Sequence, residues 1–130
     1  MNNLRQIGIV CEIHRKDFGG PEYLLPQETG KRFHRTLAET ACRGEAWELF
    51  ECPLARSSGE GRIDYRGPAR DINTAGLKMD DPIAGDEPDN HGDPDGKGAM
   101  VLTRGYQVLM VKRSDREEWQ RYLSATSGDR

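Results

Sequence analysis

A chain of 130 residues with 35% hydrophobic and 32% charged side chains has room for one modest core and not for two. Its formal charge of −3 argues against polyanion binding by the whole molecule, and no run approaches the ~18 apolar residues of a membrane helix. The N-terminus has no signal-peptide pattern, and three cysteines (Cys11, Cys42, Cys52) without CxxC spacing point to buried thiols in a reducing cytoplasm.

Residues 6–14, QIGIVCEIH, alternate so that Ile7, Ile9, Cys11 and Ile13 share one face at period two, which predicts a strand. Asp17 to Pro21 reads as a turn and 22–25 as a short edge strand stopped by Pro26. Thr29 is placed to N-cap a helix over 31–43, with Phe33, Leu37, Ala38 and Ala41 as its stripe and Gly44 as its stop. Residues 46–52 carry apolar groups on both faces and predict a central strand ended by Pro53.

Between 54 and 98, eight glycines and four prolines exclude a long regular element, leaving a short ordered piece near Arg62–Tyr65. The stretch 57–98 reads as a long loop, flexible when alone. Residues 100–111 give the strongest strand signal, with Gly105 offering a bulge or a hairpin turn. Ser114 and Glu117 form a capping box for a helix over 115–124 that buries Trp119, Tyr122 and Leu123, and the last five residues predict a frayed tail. The expected fold is α+β in one domain, 1–130. It has a small, mostly antiparallel sheet (6–14, 46–52, 100–111), two helices on one face (31–43, 115–124) and a long irregular acidic excursion.

That excursion is where composition departs furthest from the ordinary. Asp80, Asp81, Asp86, Glu87, Asp89, Asp93 and Asp95 fall within sixteen residues that contain no Lys or Arg. The rest of the chain holds 19 basic against 15 acidic side chains, a balance of +4. An EF-hand needs a bidentate acid at its twelfth position; with Gly96 at the sixth that place falls on Leu102, and with Gly92 on Gly98, so no metal is expected. Seven clustered carboxylates can instead imitate nucleic-acid phosphate and steer the chain toward a basic partner.

A second, basic candidate is Arg62, Tyr65, Arg66 and Arg70, guanidinium forks beside an aromatic ring, with Arg15 and Lys16 as a further basic face. His14, His34 and His91 lack ligand spacing, and no phosphate loop, nucleophile elbow or cofactor motif occurs. The expected function is a noncatalytic protein-binding module, an inhibitor or adaptor presenting acids to a basic, nucleic-acid-binding partner. Small charge-dense inhibitors encoded by phages and mobile elements share this general look, an analogy only. The alternatives are a nucleic-acid or nucleotide binder using the basic body and a small enzyme without a recognisable motif. So small a core also suits packing against a second copy.

Overall fold

A computed structural model describes residues 2–51, 63–87 and 98–129. In chain order these form α1 (Asn2–Phe18), a 3-10 turn (Gly20–Glu22), α2 (Lys31–Glu39), a second 3-10 turn (Trp47–Phe50), β1 (Tyr65–Pro68), β2 (Pro82–Asp86), β3 (Gly98–Thr103), β4 (Val108–Lys112), α3 (Arg116–Ala125) and β5 (Thr126–Ser127). The strands make one antiparallel sheet in the order β4-β3-β2-β1-β5, so the class is α+β. α3 carries the chain from the β4 edge to the β1 edge, where β5 closes the sheet. None of the described helices is long and apolar enough to cross a membrane.

Residues 6–14 are helix, not strand. The run satisfies two periods at once, and the helical one is set by Leu4, Ile7, Val10, Cys11 and His14, all buried. Ile9 and Ile13, which period two would set on one face with Ile7 and Cys11, point outward on the helix, 59% and 40% exposed. Arg15 and Lys16 in the last turn complement the helix dipole. Gly8 brings the helix against the hairpin that follows, since a Cβ there would sit 3.2 Å from Tyr106 Cβ.

Of the expected strand 46–52, residue 52 lies outside the described residues and 46–51 are not a strand: Trp47–Phe50 is a 3-10 turn that drives Phe50 into the core, and Asn3 of α1 bonds the Glu48 and Glu51 carbonyls. The segment 22–25 joins no sheet. Leu25 instead has its N–H accepted by Asn73 Oδ1 at 2.8 Å and its carbonyl bonded by Asn73 Nδ2 at 2.7 Å, so one amide side chain replaces a strand neighbour.

The helix ends differ from the expected ones. α2 is capped at Gly30, not Thr29, in a backbone conformation (φ 59°, ψ −141°) reserved for glycine. Its first amides go to backbone: Gly30 N–H to the Pro68 carbonyl and Lys31 N–H to the Asp129 carbonyl. The α-helix proper stops at Glu39, and Gly44 returns its N–H to the Ala38 carbonyl. α3 is capped by Asp115, whose carboxylate accepts from the Glu118 N–H at 3.2 Å, rather than by Ser114. The expected frayed tail contains β5, which pairs Ser127 with Gly67 and Thr126 with Pro68.

The acidic run enters the sheet. PIAGD, residues 82–86, is β2, buried along most of its length between β1 and β3. A register shift between Pro82 and Ala84 puts Ile83 and Ala84 into the same core cluster. The helices lie on both faces, not one. α1 and α2 cover the face of Tyr65, Ile83 and Leu102, while α3 covers Ala99, Val101 and Val111 with Tyr122. Two covered faces explain why β3 shows apolar residues at both parities, whereas Leu109 and Met110 of the edge strand β4 stay 45% and 54% exposed. That stretch is the β3–β4 hairpin, with Gly105 in its turn.

Candidate functional site

Four of the seven acids lie among the described residues, and each has a partner inside the fold. Asp81 accepts from Arg121 Nη2 and, at 2.8 Å, from the Lys78 N–H. These bonds, the arginine's first, hold its carboxyl below the usual range. Asp80 lies 3.5 Å from the same guanidinium but keeps a side chain 69% exposed. Asp86 accepts the Met100 N–H at 2.9 Å, and Glu87 lies 3.4 Å from Arg66. Asp89, Asp93, Asp95 and His91 lie outside the described residues.

The basic candidate is also drawn inward. Arg66, on β1, donates Nε to Thr126 Oγ1 (2.9 Å) and Nη2 to the Thr126 carbonyl (2.8 Å), with its guanidinium 5.8 Å from the centre of the Tyr122 ring. It thus locks the end of α3 and β5 onto β1, and Glu87 supplies the countercharge. Tyr65 is buried. Arg62 lies outside the described residues. Of the three described, Arg70 alone is exposed, and it makes no hydrogen bond or ion pair among the described residues.

Asp81 and Arg70 line one cleft, and Asp80 is tied to it through Arg121. The 69–82 segment folds over the sheet edge through side-chain-to-backbone turns: Asp71 Oδ1 accepts the Asn73 N–H at 2.9 Å, and Asp81 repeats the device on Lys78. The β3–β4 turn pins it from the other side, Arg104 N–H to the Asp81 carbonyl and Gly105 N–H to the Met79 carbonyl, both 2.8 Å. A cleft of about 270 Å³ remains between this segment and α3. Its walls are apolar, from Pro68, Ala75, Leu77, Pro82 and Ala125, with Arg70, Asp81 and Arg121 as its charged groups. Arg121 is met by three carboxylates, Asp80, Asp81 and Glu118, so the rim on that side is anionic. Ser124 also lines the cleft, with no base hydrogen-bonded to it among the described residues.

The two described histidines, His14 and His34, serve the interior. His14 stacks on Phe18 and donates Nδ1–H to Thr40 Oγ1 at 2.9 Å, because the Thr40 hydroxyl proton is committed to the Thr36 carbonyl. Burial lowers its pKa, against an opposing pull from Glu28. His34 is fully buried and donates Nε2–H to the Arg66 carbonyl at 2.8 Å. Cys11 is a buried thiol whose pKa burial pushes up to about 12, and Cys42 is half-buried; both are free. Among the described residues no three His, Cys, Asp or Glu side chains are grouped to hold a metal ion.

Arg121 and the apolar walls of the cleft were not singled out by sequence reasoning. Arg121 follows Glu117 and Glu118 on a helix and reads there as surface charge, and nothing local says that Asp81 will reach it forty residues away. Comparison with protein families, with characterised proteins and with solved structures finds no match to this chain.

Proposed function

We propose that the protein is a noncatalytic binding module that seats an apolar side chain of a basic protein segment in the cleft between α3 and the 69–82 segment. The observation that carries this reading is the placing of the exposed Asp80 carboxylate and its neighbour Asp81 beside an apolar hollow. An apolar anchor contributes the affinity, and a rim carboxylate selects and steers a partner Lys or Arg. The acidic recognition is thereby narrower than the whole run. Asp86 and Glu87 are committed to β3 and Arg66, which leaves Asp80 as the acid most open to solvent among those described. Occupying a basic surface in this way is how an inhibitor or adaptor of a nucleic-acid-binding protein would act.

The test is capture of partners from a host lysate with three forms of the protein, each checked for a native melting transition. Ala75→Arg fills the cleft and is expected to lower partner affinity about thirtyfold or more, the loss of a hot-spot anchor. Asp80→Lys is expected to slow association and weaken its salt dependence. The triple change Asp89→Asn, Asp93→Asn, Asp95→Asn is expected to leave capture in place. Capture lost in the triple variant and kept in the other two would assign recognition to the 88–97 stretch and reject the cleft.

A further inference from the structure

We propose that a second hollow, between the end of α1, the Gly20–Glu22 turn and the β3–β4 turn, binds a phosphomonoester carried on a planar body of nucleotide size. The hollow measures about 400 Å³, within the usual range for small-ligand sites. Two guanidinium groups line it, Arg15 from the last turn of α1 and Arg104 from the β3–β4 turn. Each is braced by a neighbouring side chain. Arg104 donates Nη1 to the Tyr106 hydroxyl at 3.3 Å and lies 5.6 Å from the centre of that ring. Burial, and after it the nearby Cys11 and Glu12, raise the pKa of the Tyr106 hydroxyl, and Glu12 lies 3.4 Å from Arg15 Nη1.

Each fork spends one nitrogen on this brace and has no other protein acceptor among the described residues; Arg15 Nε is buried without one. Two forks reaching one hollow from separate elements call for more acceptor oxygens than a carboxylate has. A phosphomonoester offers three on a single centre. Glu12 is occupied by the brace, and Glu22, on the exposed wall, is an acceptor suited to sugar hydroxyls rather than to phosphate. Tyr23 supplies the surface for a planar group. Its ring is 57% exposed, and its backbone is held at φ 54° by an N–H bond to the Gly20 carbonyl, a conformation a tyrosine adopts at a cost. This hollow shares the Leu77 wall with the cleft on the other side, but neither Arg15 nor Arg104 lines that cleft.

Titration of the full chain with adenosine monophosphate, adenosine and inorganic phosphate tests the site. The nucleotide is expected to bind about tenfold or more tightly than either adenosine or phosphate alone. Arg15→Gln and Arg104→Gln are each expected to weaken it about tenfold or more, the loss of charge-assisted bonds. Tyr23→Ala is expected to weaken the nucleotide and leave inorganic phosphate unchanged. Arg104→Lys keeps the charge over Tyr106 without the fork, so it gives the same loss of nucleotide if the glutamine variant melts. No binding of the nucleotide at millimolar concentration would overturn the proposal. So would equal binding of adenosine, or an affinity indifferent to both arginine changes.

Discussion

Gly85→Ala is expected to destabilise the protein by about 3 kcal/mol or more, a large share of the total stability of a domain this size. Gly85 sits in the middle of β2, paired with Arg66 on one side and Val101 on the other. A Cβ there would stand 2.6 Å from the Tyr122 hydroxyl and 2.7 Å from the Met100 carbonyl oxygen. Neither neighbour can yield cheaply. Met100 O belongs to the adjoining strand, and Tyr122 is fully buried with its hydroxyl donating to the Asp86 carbonyl. Moving the ring breaks that bond and loosens α3 from the sheet, adding about 1 kcal/mol to the overpacking. The sign is diagnostic, because alanine in a solvated loop of ordinary backbone would stabilise the chain by about 0.4–1 kcal/mol. Urea unfolding of the two forms measures the difference directly.

The second large effect is acid lability through His34. Burial lowers its pKa from 6.5 to about 4, with Lys31 adding to the shift and the bond to the Arg66 carbonyl opposing it. Phe33, Phe50 and Tyr65 surround the ring, with centroids 5.6, 5.6 and 6.5 Å away. Since Nε2 donates to the Arg66 carbonyl, Nδ1 carries the lone pair, and that atom is buried without a partner among the described residues. At pH 7 the imidazole is neutral whether the chain is folded or not. Below pH 6.5 the unfolded chain takes a proton that the folded one refuses, so stability falls until the pH reaches about 4. The loss amounts to about 3 kcal/mol over that window. His14, its pKa also lowered by burial, acts in the same direction. His34→Phe leaves the Arg66 carbonyl without its donor, so that variant is less stable at pH 7 but has a flatter pH profile from 6.5 to 4. Denaturant midpoints across that range, compared for the two forms, would contradict the assignment if the slopes were equal.

Local signals carried the C-terminal third of the fold and part of its middle. The hairpin around Gly105, the helix burying Tyr122 and the helix with Phe33 and Leu37 are each specified by residues within a few positions of one another. The misreadings share a different cause. In QIGIVCEIH, the placement of isoleucines fits both two and 3.6 residues per turn, and only the partners decide: Leu4 and His14, lying outside or at the end of the run, complete the helical face. Trp47–Phe50 has apolar residues at both parities, but it is a single turn that buries Phe50 fully and packs Trp47 and Leu49 part-buried against the same core.

β2 was hidden for a physical reason. PIAGD is short, begins with proline and contains glycine, and it lies between the paired acids of 80–81 and 86–87. The proline is tolerated at the first strand position, and the glycine is demanded by Tyr122. The flanking acids are tolerated because Arg121 and Arg66, distant in sequence, meet them. The cleft was legible only in fragments, Asp80, Asp81 and Arg70, since its apolar walls come from α3, β1, β2 and the 69–77 stretch together. The same long-range meeting conceals the second hollow, whose arginines are eighty-nine positions apart.

By entering the sheet as β2, the acidic run fixes Asp81 in the wall of the cleft and Asp80 beside it. Amide hydrogen exchange across residues 80–87 measures this most directly. The amides of β2 that bond to β1 and β3 are expected to exchange only through global unfolding, with protection equal to that of the β3 core. Exchange of residues 82–86 at the rate of an unprotected loop, while β3 stays protected, would contradict it.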